Sequence, residues 1–470
     1  MISETVNKYD VIIVGAGFGG YTCALKCAKS GLKVALIEKL KIGGVCLNVG
    51  CIPTKTFLKS ALVYRDFIDR SASFGLDVSG ARPKINWLRM LERKQQVIDK
   101  LVSGMQFMVK KNNIDYINGD AKTITSKIIE VNEQQYECDN LVIATGSLPI
   151  KLNLPGFEDA RKANFLINST QILNLTELPK TLVIIGGGVI GIEFANLFSD
   201  LDCEVFVIEG APNILPNIDN EVRKEMIKIL STRGNLHLIN NAKVLAIKDN
   251  TVIYQTNDGK EVSLHSDLCL EAIGRHPVIN GFENIGLKFN DHKAIIVNEN
   301  CETNLEHVYA VGDVFGKAML AHVAQHAGIV VANKIAQNKN ISTFKNLDSE
   351  KVVIPACIYT YPEISMIGMT EEQLQNEHIE YNSAKFLFTA SGKALADDAS
   401  KGFIKILSDK KTKLILGAHM IGHRVTELIS EIGLAMDNNL TIEDIANTIH
   451  PHPTISESIG EVAEMLVSRN

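Results

Sequence analysis

One block of this sequence occurs twice, and the repeat restricts the possible folds more than any other feature. Both copies place a glycine-rich turn directly after an apolar run. In each copy a helical stretch and a second apolar strand follow, and the strand ends on an acid, Glu38 or Glu209. The glycines recur at a constant offset of 171 residues, which relates Gly15, Gly17 and Gly20 to Gly186, Gly188 and Gly191. The repeat predicts two copies of one βαβ unit.

Each part of this unit has a physical role in binding a dinucleotide. The first glycine permits a tight turn, the second lets the backbone approach a pyrophosphate, and the third lets the helix pack on the strand. Free N–H groups at the helix N-terminus bind the pyrophosphate, and the acid accepts hydrogen bonds from a ribose. A single such turn indicates little, but two copies in register predict two dinucleotide sites. Glu209 favours NAD over NADP at the second site, because a carboxylate repels a 2′-phosphate.

Length, charge and cysteine usage exclude several classes of protein. A chain of 470 residues predicts about three domains. The net charge of -6 and the lack of basic runs argue against nucleic acid or a membrane as partner. Nine scattered cysteines do not resemble a secreted disulfide framework. We find no secretory signal and expect a cytoplasmic protein, or a mitochondrial matrix protein without its transit peptide.

Two of the cysteines have unusual neighbours. Cys46 and Cys51 lie among Gly43, Gly44 and Gly50. A metal site would need further ligands nearby, and two ordinary buried thiols would not need the glycines, so a redox disulfide fits better. In a regular helix, residues five apart have Cα atoms roughly 8–9 Å apart, which exceeds the roughly 7 Å limit of a disulfide. We therefore predict that the segment leaves the helical path at its glycines, with Cys51 near the start of the next helix.

These motifs together resemble a known family. The segment from Gly43 to Lys55 resembles the dihydrolipoamide dehydrogenase branch of the pyridine nucleotide-disulfide oxidoreductase family. The likeness runs nearly end to end and includes four further segments, which are Ala144-Thr145-Gly146, Ala272-Ile273-Gly274-Arg275, Tyr309-Ala310-Val311-Gly312-Asp313 and Leu320-Ala321-His322. It implies that FAD occupies the first dinucleotide site and NAD the second. No metal site is expected.

The resemblance also implies which residues contact each cofactor. Asp313 would hydrogen-bond the ribityl chain of FAD, and Lys55 and Glu193 would form an ion pair beside the flavin. The full FAD site would comprise Gly15, Gly17, Gly20, Glu38, Lys55, Gly119, Thr145, Gly146, Ser147, Asp313, Met319, Leu320, Ala321 and His322. The NAD site would comprise Gly186, Gly188, Gly191, Glu193, Glu209, Val244 and Gly274.

A candidate acid–base pair stands near the C-terminus. His452 precedes Glu457 by five residues in a proline-bounded loop. By itself this pattern is typical of an exposed surface, and His450 is a competing candidate. Thiol–disulfide exchange needs a base, however, and a carboxylate fixes and stabilises an imidazole. The resemblance selects His452 and implies that it serves the redox cysteines of a second subunit, so that a homodimer is expected.

The predicted fold class is α/β, with two Rossmann-like dinucleotide-binding domains and a C-terminal α+β dimerisation domain. The predicted divisions are residues 1–149 for FAD, 150–276 for NAD, 277–348 for a returning FAD segment and 349–470 for the interface. We expect the last domain to offer an exposed sheet for dimer packing. Strands are predicted at Ala356–Thr360 and Gly402–Ile406, with helices at Val425–Met436 and Ile459–Val467.

The activity implied by the resemblance is oxidation of dihydrolipoamide to lipoamide with NAD as acceptor. Implied partners are lipoyl carrier domains and the dihydrolipoamide acyltransferase core of 2-oxoacid dehydrogenase complexes, or the glycine cleavage system. Rival interpretations are a glutathione, trypanothione or mercuric reductase, which mainly use NADPH, and a flavin-binding subunit without turnover. Five positions keep no assigned role, which are Val323, Gln325, His326, His423 and Arg424.

Overall fold

A computed structural model describes residues 7–77, 83–339 and 353–468 of the chain. Its strands are, in chain order, β1 (Asn7–Val14), β2 (Val34–Glu38), β3 (Asp115–Asn118), β4 (Ala121–Thr123), β5 (Ile128–Val131), β6 (Gln134–Ile143), β7 (Ser147–Pro149), β8 (Leu166–Asn168), β9 (Thr181–Ile185), β10 (Glu204–Ile208), β11 (Leu236–Ile239), β12 (Lys243–Lys248), β13 (Thr251–Gln255), β14 (Glu261–His265), β15 (Leu268–Glu271), β16 (Arg275–Pro277), β17 (Val308–Ala310), β18 (Ala356–Ile358), β19 (Glu363–Gly368), β20 (Tyr381–Leu387), β21 (Phe403–Asp409) and β22 (Ile415–Gly422).

The α-helices of the described residues are α1 (Phe18–Lys29), α2 (Gly44–Val49), α3 (Cys51–Arg70), α4 (Trp87–Lys111), α5 (Phe157–Lys162), α6 (Val189–Asp200), α7 (Asn220–Ser231), α8 (Ala321–Asn338), α9 (Glu371–Asn376), α10 (Gly392–Ala396), α11 (Val425–Asp437), α12 (Ile442–Ala446) and α13 (Glu457–Val467). None of these helices is both long enough and apolar enough to cross a membrane.

The chain divides into two compact units. The first unit comprises Met1–Thr56, Arg89–Ile150 and Gly274–Glu350, and the second comprises Phe57–Leu88, Lys151–Ile273 and Lys351–Asn470. The four-part division into FAD, NAD and interface segments stays a prediction. The predicted boundary between residues 348 and 349 lies outside the described residues.

The first unit is built on a sheet with the strand order β3-β2-β1-β6-β5-β4, to which β17 adds beside β6. Strands β1, β2, β3, β6 and β17 run parallel to one another within this sheet, whereas β5 pairs antiparallel with β6 and with β4. The second half of β1, Val11 to Val14, and all of β2 are buried, as expected for parallel strands that are covered on both faces. Helices α1 and α8 pack against each other in this unit.

The second unit contains the second copy of the repeat, in a parallel sheet with the order β11-β10-β9-β15-β8. The two copies coincide closely, because α6 begins and ends 171 residues after α1. The predicted pair of βαβ units is therefore confirmed. An antiparallel three-stranded sheet of β12, β13 and β14 accompanies it.

The C-terminal part of the second unit forms an antiparallel sheet with the order β18-β19-β22-β21-β20. The predicted strands and helices are present here with slightly different ends, and β18 ends at Ile358. The two central strands do not fit the expected exposed sheet, because β21 is buried along all but its last residue and β22 is nearly all buried, whereas β20 is only partly buried. Helices α11, α13 and α7 pack against these strands within the same unit and cover them.

Candidate active site

The first glycine turn leaves room for a ligand at one position only. Gly15 has φ +107, and a Cβ there would lie 2.2 Å from the carbonyl oxygen of Ala144. A Cβ on Gly20 would lie 1.9 Å from the carbonyl oxygen of Gly15. By contrast, a Cβ on Gly17 would meet only the Cα of Gly44, at 4.0 Å. The outer glycines are therefore required by the protein's own packing, and the middle one faces comparatively open space.

The second turn repeats this arrangement. Gly186 has φ +109, and a Cβ there would lie 2.5 Å from the carbonyl oxygen of Ala272. A Cβ on Gly191 would lie 2.0 Å from the carbonyl oxygen of Gly186, whereas one on Gly188 would meet nothing within 4 Å. Helix α6 starts directly after Gly188, which provides no side-chain cap. Its first N–H groups and the open space fit a pyrophosphate, as they do at Gly17 and α1.

Glu38 and Glu209, the acids at the ends of the two βαβ units, accept matching hydrogen bonds from the backbone. The carboxylate of Glu38 accepts hydrogen bonds from the backbone N–H groups of Ala16 and Leu40, both at 2.8 Å. Glu209 accepts them from Gly187 at 2.6 Å and from Ala211 at 2.7 Å, and these four positions obey the same offset. The backbone thus fixes each carboxylate at the end of a strand, where a ribose binds in this fold. Both sites fit the dinucleotides predicted for them.

The cysteine segment breaks into two helices. Helix α2 carries Cys46 and ends at Val49, Gly50 adopts φ -147 and ψ -113, and α3 starts at Cys51. Gly43 and Gly44 both have positive φ. The predicted departure from a regular helix is confirmed. Pro53 stands in the first turn of α3, where its missing N–H costs no hydrogen bond.

The two sulfur atoms interact directly. Cys51 is exposed and Cys46 is half-buried. A hydrogen bond with the Cys51 thiol, together with burial, raises the pKa of Cys46 well above 9.0. A backbone hydrogen bond of Cys51 and the positive charge of Lys55 act in the opposite direction. The negative charge of a reduced pair is therefore expected on Cys51, at the N-terminus of α3, where the helix dipole favours an anion.

In the first unit, the residues that follow β6 form hydrogen bonds with β16, with the residue after β16 and with Asp313. The hydroxyl of Ser147 donates a hydrogen bond to the Asp313 carboxylate, and Thr145 donates one to the carbonyl oxygen of Val278. Arg275 donates from Nε to the Ser147 hydroxyl and from Nη2 to its carbonyl oxygen, both at 2.7 Å. The sequence alone assigned no role to Arg275, although this residue lies directly after Gly274, which was predicted to contact NAD.

The other predicted cofactor residues occupy several elements. Gly119 follows β3 and donates its N–H to the carbonyl oxygen of Glu38 at 3.0 Å. Met319 and Leu320 directly precede α8, and Ala321 and His322 are the first two residues of this helix. In the second unit, Val244 lies in β12, and the buried Glu193 accepts a hydrogen bond from the N–H of Tyr359 at 2.9 Å. The ion pair of Lys55 and Glu193 stays a prediction.

The structure separates the two candidate histidines sharply. Nδ1 of His452 lies 2.7 Å from Oε1 of Glu457, and the His452 side chain is 82% exposed. His450 is bound through Nε2 to Glu431 at 2.9 Å, and its side chain is only 10% exposed. The N–H of Thr454 donates to the second oxygen of Glu457. That bond and the contact with His452 lower the pKa of Glu457, so the residue stays ionised beside the imidazole at neutral pH.

No group of side chains in the described ranges is arranged to hold a metal ion. The first unit provides a dithiol and one dinucleotide cradle, and the second unit provides another cradle and an exposed imidazole–carboxylate pair. This set supports transfer of an electron pair between a thiol substrate and a nicotinamide.

Comparison with known proteins gives concordant matches. The family model described as pyridine nucleotide-disulphide oxidoreductase matches residues 9–328, and the model of its dimerisation domain matches residues 354–463. A dihydrolipoyl dehydrogenase of Mycoplasma genitalium is 40% identical over 459 residues, which cover 98% of each chain. One from Bacillus subtilis is 40% identical over 482 residues, covering 97% of this chain and 98% of its own.

A solved structure is similar over the same length. The HOCl-induced flavoprotein disulfide reductase RclA from Escherichia coli superimposes with a TM-score of 0.85 at 28% identity. The match covers 97% of this chain and all of that one.

Proposed function

The chain belongs to the pyridine nucleotide-disulphide oxidoreductase family, and on that premise we propose that it oxidises dihydrolipoamide to lipoamide and reduces NAD+ to NADH. The observation that carries the proposal is the pair of interacting thiols, Cys46 and Cys51, beside a dinucleotide cradle. The similarity to dihydrolipoyl dehydrogenases supports the choice of substrate.

The thiol chemistry follows from the residues present. In the oxidised enzyme Cys46 and Cys51 form a disulfide. His452 takes a proton from one substrate thiol, and the resulting thiolate attacks the sulfur of Cys46. The bond between the two cysteines breaks, and its electron pair leaves on Cys51. The second substrate thiol then attacks the mixed disulfide, which closes the ring of lipoamide and frees Cys46. The substrate has lost two electrons and two protons at this point.

The charges of the site suit this sequence. Cys46, whose pKa is raised, holds a proton after reduction, and Cys51 carries the negative charge. Glu457 accepts a hydrogen bond from the Nδ1–H of His452, so that Nε2 is left as the base. FAD, which Gly15, Gly17, Glu38 and Asp313 would help to hold, would supply the electron transfer between the reduced cysteines and NAD+, and the balanced reaction yields lipoamide, NADH and one proton.

Partners follow from the same proposal. The match to a dimerisation domain supports a homodimer in which the partner subunit's His452 serves Cys46. The reaction requires a lipoyl carrier domain as protein substrate, and we propose the acyltransferase core of a 2-oxoacid dehydrogenase complex, or the glycine cleavage system, as its source. We also propose a cytoplasmic location, since the dihydrolipoyl dehydrogenases reported above are from bacteria.

Steady-state assays distinguish this function from its rivals. We expect the flavin-loaded protein to reduce lipoamide with NADH, and to use NADPH and oxidised glutathione poorly, because Glu209 stands where NADP carries its phosphate. Cys46→Ser and Cys51→Ser should each abolish lipoamide turnover while the protein keeps its yellow flavin. Rapid reduction of glutathione by NADPH, or normal turnover in either serine variant, would refute the proposal.

A further inference from the structure

The loop of residues 210–219 leads from the second ribose acid to helix α7 and contacts the NAD cradle twice on the way. At its start, the N–H of Ala211 donates to Oε1 of Glu209 at 2.7 Å. Near its middle, the N–H of Leu215 donates at 2.9 Å to the carbonyl oxygen of Gly187, which lies inside the second glycine turn. The 210–219 loop is thus bonded both to the acid expected to bind the ribose and to the turn expected to bind the pyrophosphate.

The middle of the 210–219 loop is also packed against the glycine turn. Ile214 and Leu215 are both buried, and a Cβ on Gly187 would lie 2.7 Å from Cγ2 of Ile214. Leu215 has φ 48, in the left-handed region that is unfavourable for a leucine. Such a conformation persists only where the surrounding structure imposes it. The loop therefore requires firm attachment on both sides of Leu215.

On the C-terminal side of Leu215, that attachment is a buried ion pair with the C-terminal sheet. Asp219, the last residue of the loop, is the N-cap of α7 and accepts the N–H of Glu221 through Oδ1 at 3.0 Å. Its other oxygen, Oδ2, lies 2.7 Å from Nζ of Lys405 in β21, and the two side chains are 0% and 2% exposed. Nζ of Lys405 also lies 3.1 Å from Oε2 of Glu371 in α9. The end of the loop is therefore held to β21 by charges that water does not screen.

We propose that Lys405 is a positioning residue of the NAD site, which holds Asp219 and thereby keeps the 210–219 loop against Glu209 and Gly187. The proposed mechanism gives neither Lys405 nor Asp219 a role in the redox chemistry. A buried ion pair is often no more stabilising than apolar side chains of similar volume, and what it provides in some proteins is one defined arrangement. The ligand that gains from this arrangement is the adenosine diphosphate half of NAD. The inference rests on the proposed function, in that NAD must occupy the second cradle.

The probe for the experiment is ADP-ribose, which has the adenosine and the pyrophosphate of NAD but no nicotinamide, so that no electron is transferred. Its dissociation constant from oxidised, flavin-loaded protein is measured by titration calorimetry. Hydrogen exchange in the peptide of residues 210–219, followed by mass spectrometry without ligand, reports local opening of the loop. The melting temperature reports overall stability, so that loss of positioning is distinguished from loss of the fold.

The principal variant combines Asp219→Asn with Lys405→Met. Removing one partner alone would leave the other charge buried and unpaired, whereas the double variant removes both charges of the pair. Asparagine still caps α7 through its side-chain oxygen. Lys385→Met is the matched control, because Lys385 lies directly opposite Lys405 in β20 and forms an ion pair with Glu221 at 2.9 Å. The Lys385 side chain is 39% exposed, so this pair contributes little.

The double variant should fold, with a melting temperature within about 5 °C of the wild type. Its 210–219 peptide should exchange about tenfold faster, while peptides of β21 and α13 keep the wild-type rate. The dissociation constant for ADP-ribose should rise by about tenfold, because affinity falls in proportion to the fraction of molecules whose loop is in place. Lys385→Met should match the wild type in exchange and in affinity.

Wild-type affinity in a folded double variant would overturn the inference, whether or not the loop exchanges faster. Should the double variant not fold, Asp219→Asn decides, because Lys405 then keeps Glu371 as a partner and the helix cap is retained. Wild-type affinity in Asp219→Asn would likewise overturn the inference. A wild-type protein that does not bind ADP-ribose would instead refute the second dinucleotide site, and with it both the proposed function and the role of Lys405.

Discussion

Oε1 of Glu457, the first residue of α13, lies 2.7 Å from Nδ1 of His452. The side chain of His452 is nevertheless 82% exposed. The carboxylate thereby fixes which ring nitrogen carries a hydrogen and leaves Nε2 as the base. The rings of His450 and His452 thus differ in environment although only Pro451 separates them, because His450 is enclosed and bound to Glu431.

His452→Gln should slow reduction of the enzyme by dihydrolipoamide about 100-fold or more, since a positioned general base contributes at least that factor. Reoxidation of the reduced enzyme by NAD+ should be nearly unaffected, because it requires no thiol deprotonation. Stopped-flow measurement of the two half-reactions checks this. His450→Gln is the control and should affect stability more than either rate. Equal losses in both half-reactions of His452→Gln would contradict the assignment.

The bond between His452 and Glu457 should make stability depend on pH in acid. The folded protein lowers the pKa of Glu457 below its ordinary 4.5 through the N–H of Thr454 and through His452. The stabilisation is therefore complete above 4.5 and is lost as the pH falls through the lower folded value. The melting temperature of the wild type should exceed that of Glu457→Gln at neutral pH, and the two should converge in acid. A difference that persists unchanged in acid would exclude this cause.

Alanine at two glycines of one motif should have opposite effects. At Gly188 a Cβ meets nothing within 4 Å, so Gly188→Ala should fold with an unchanged melting temperature. Its methyl group would stand where the backbone approaches the pyrophosphate, and NAD affinity should fall by about tenfold, or about 1.4 kcal/mol.

At Gly191 a Cβ would lie 2.0 Å from a backbone oxygen, so Gly191→Ala should lose about 1–3 kcal/mol of stability. Calorimetry and NADH titration separate the two variants. Wild-type affinity for NAD in Gly188→Ala would indicate that the dinucleotide does not pass this turn.

Glu209→Gln should relax the preference for NAD. The amide removes the charge that repels a 2′-phosphate and can accept only one of the two bonds now made by Gly187 and Ala211. The ratio of kcat/KM for NADPH to that for NADH should rise by about tenfold. Glu204→Gln, at the opposite end of β10, is the control and should keep the wild-type ratio. An unchanged ratio in Glu209→Gln would exclude the carboxylate as the selective group.

The parts of the fold that depend on local patterns were predictable from the sequence. The two glycine motifs determine their own turns, and the offset of 171 residues extends to the bonds of Glu38 and Glu209. The break between Cys46 and Cys51 was predictable as well, because disulfide geometry excludes a regular helix there.

Contacts between distant positions were not predictable in this way. Ser147 lies 128 positions from Arg275, and these two residues meet because β7 pairs with β16. The hydrogen bond from Ser147 to Asp313 spans 166 positions. The buried pair of Asp200 and Arg233, at 2.6 Å, likewise has no signature in the sequence. The burial of β21 was not predictable either, since the side chains of this strand do not reveal that helices cover it.

The central claim is that Cys46 and Cys51 alternate between disulfide and dithiol as electrons pass to and from NAD. The most direct measurement adds one equivalent of NADH per chain to anaerobic, oxidised, flavin-loaded protein, blocks free thiols with iodoacetamide and maps the label by mass spectrometry. One NADH delivers two electrons, enough to reduce one disulfide. We predict that Cys46 and Cys51 alone change from unlabelled to labelled, and that lipoamide added before the block reverses this. Labelling of the two cysteines that is the same with and without NADH would contradict the account.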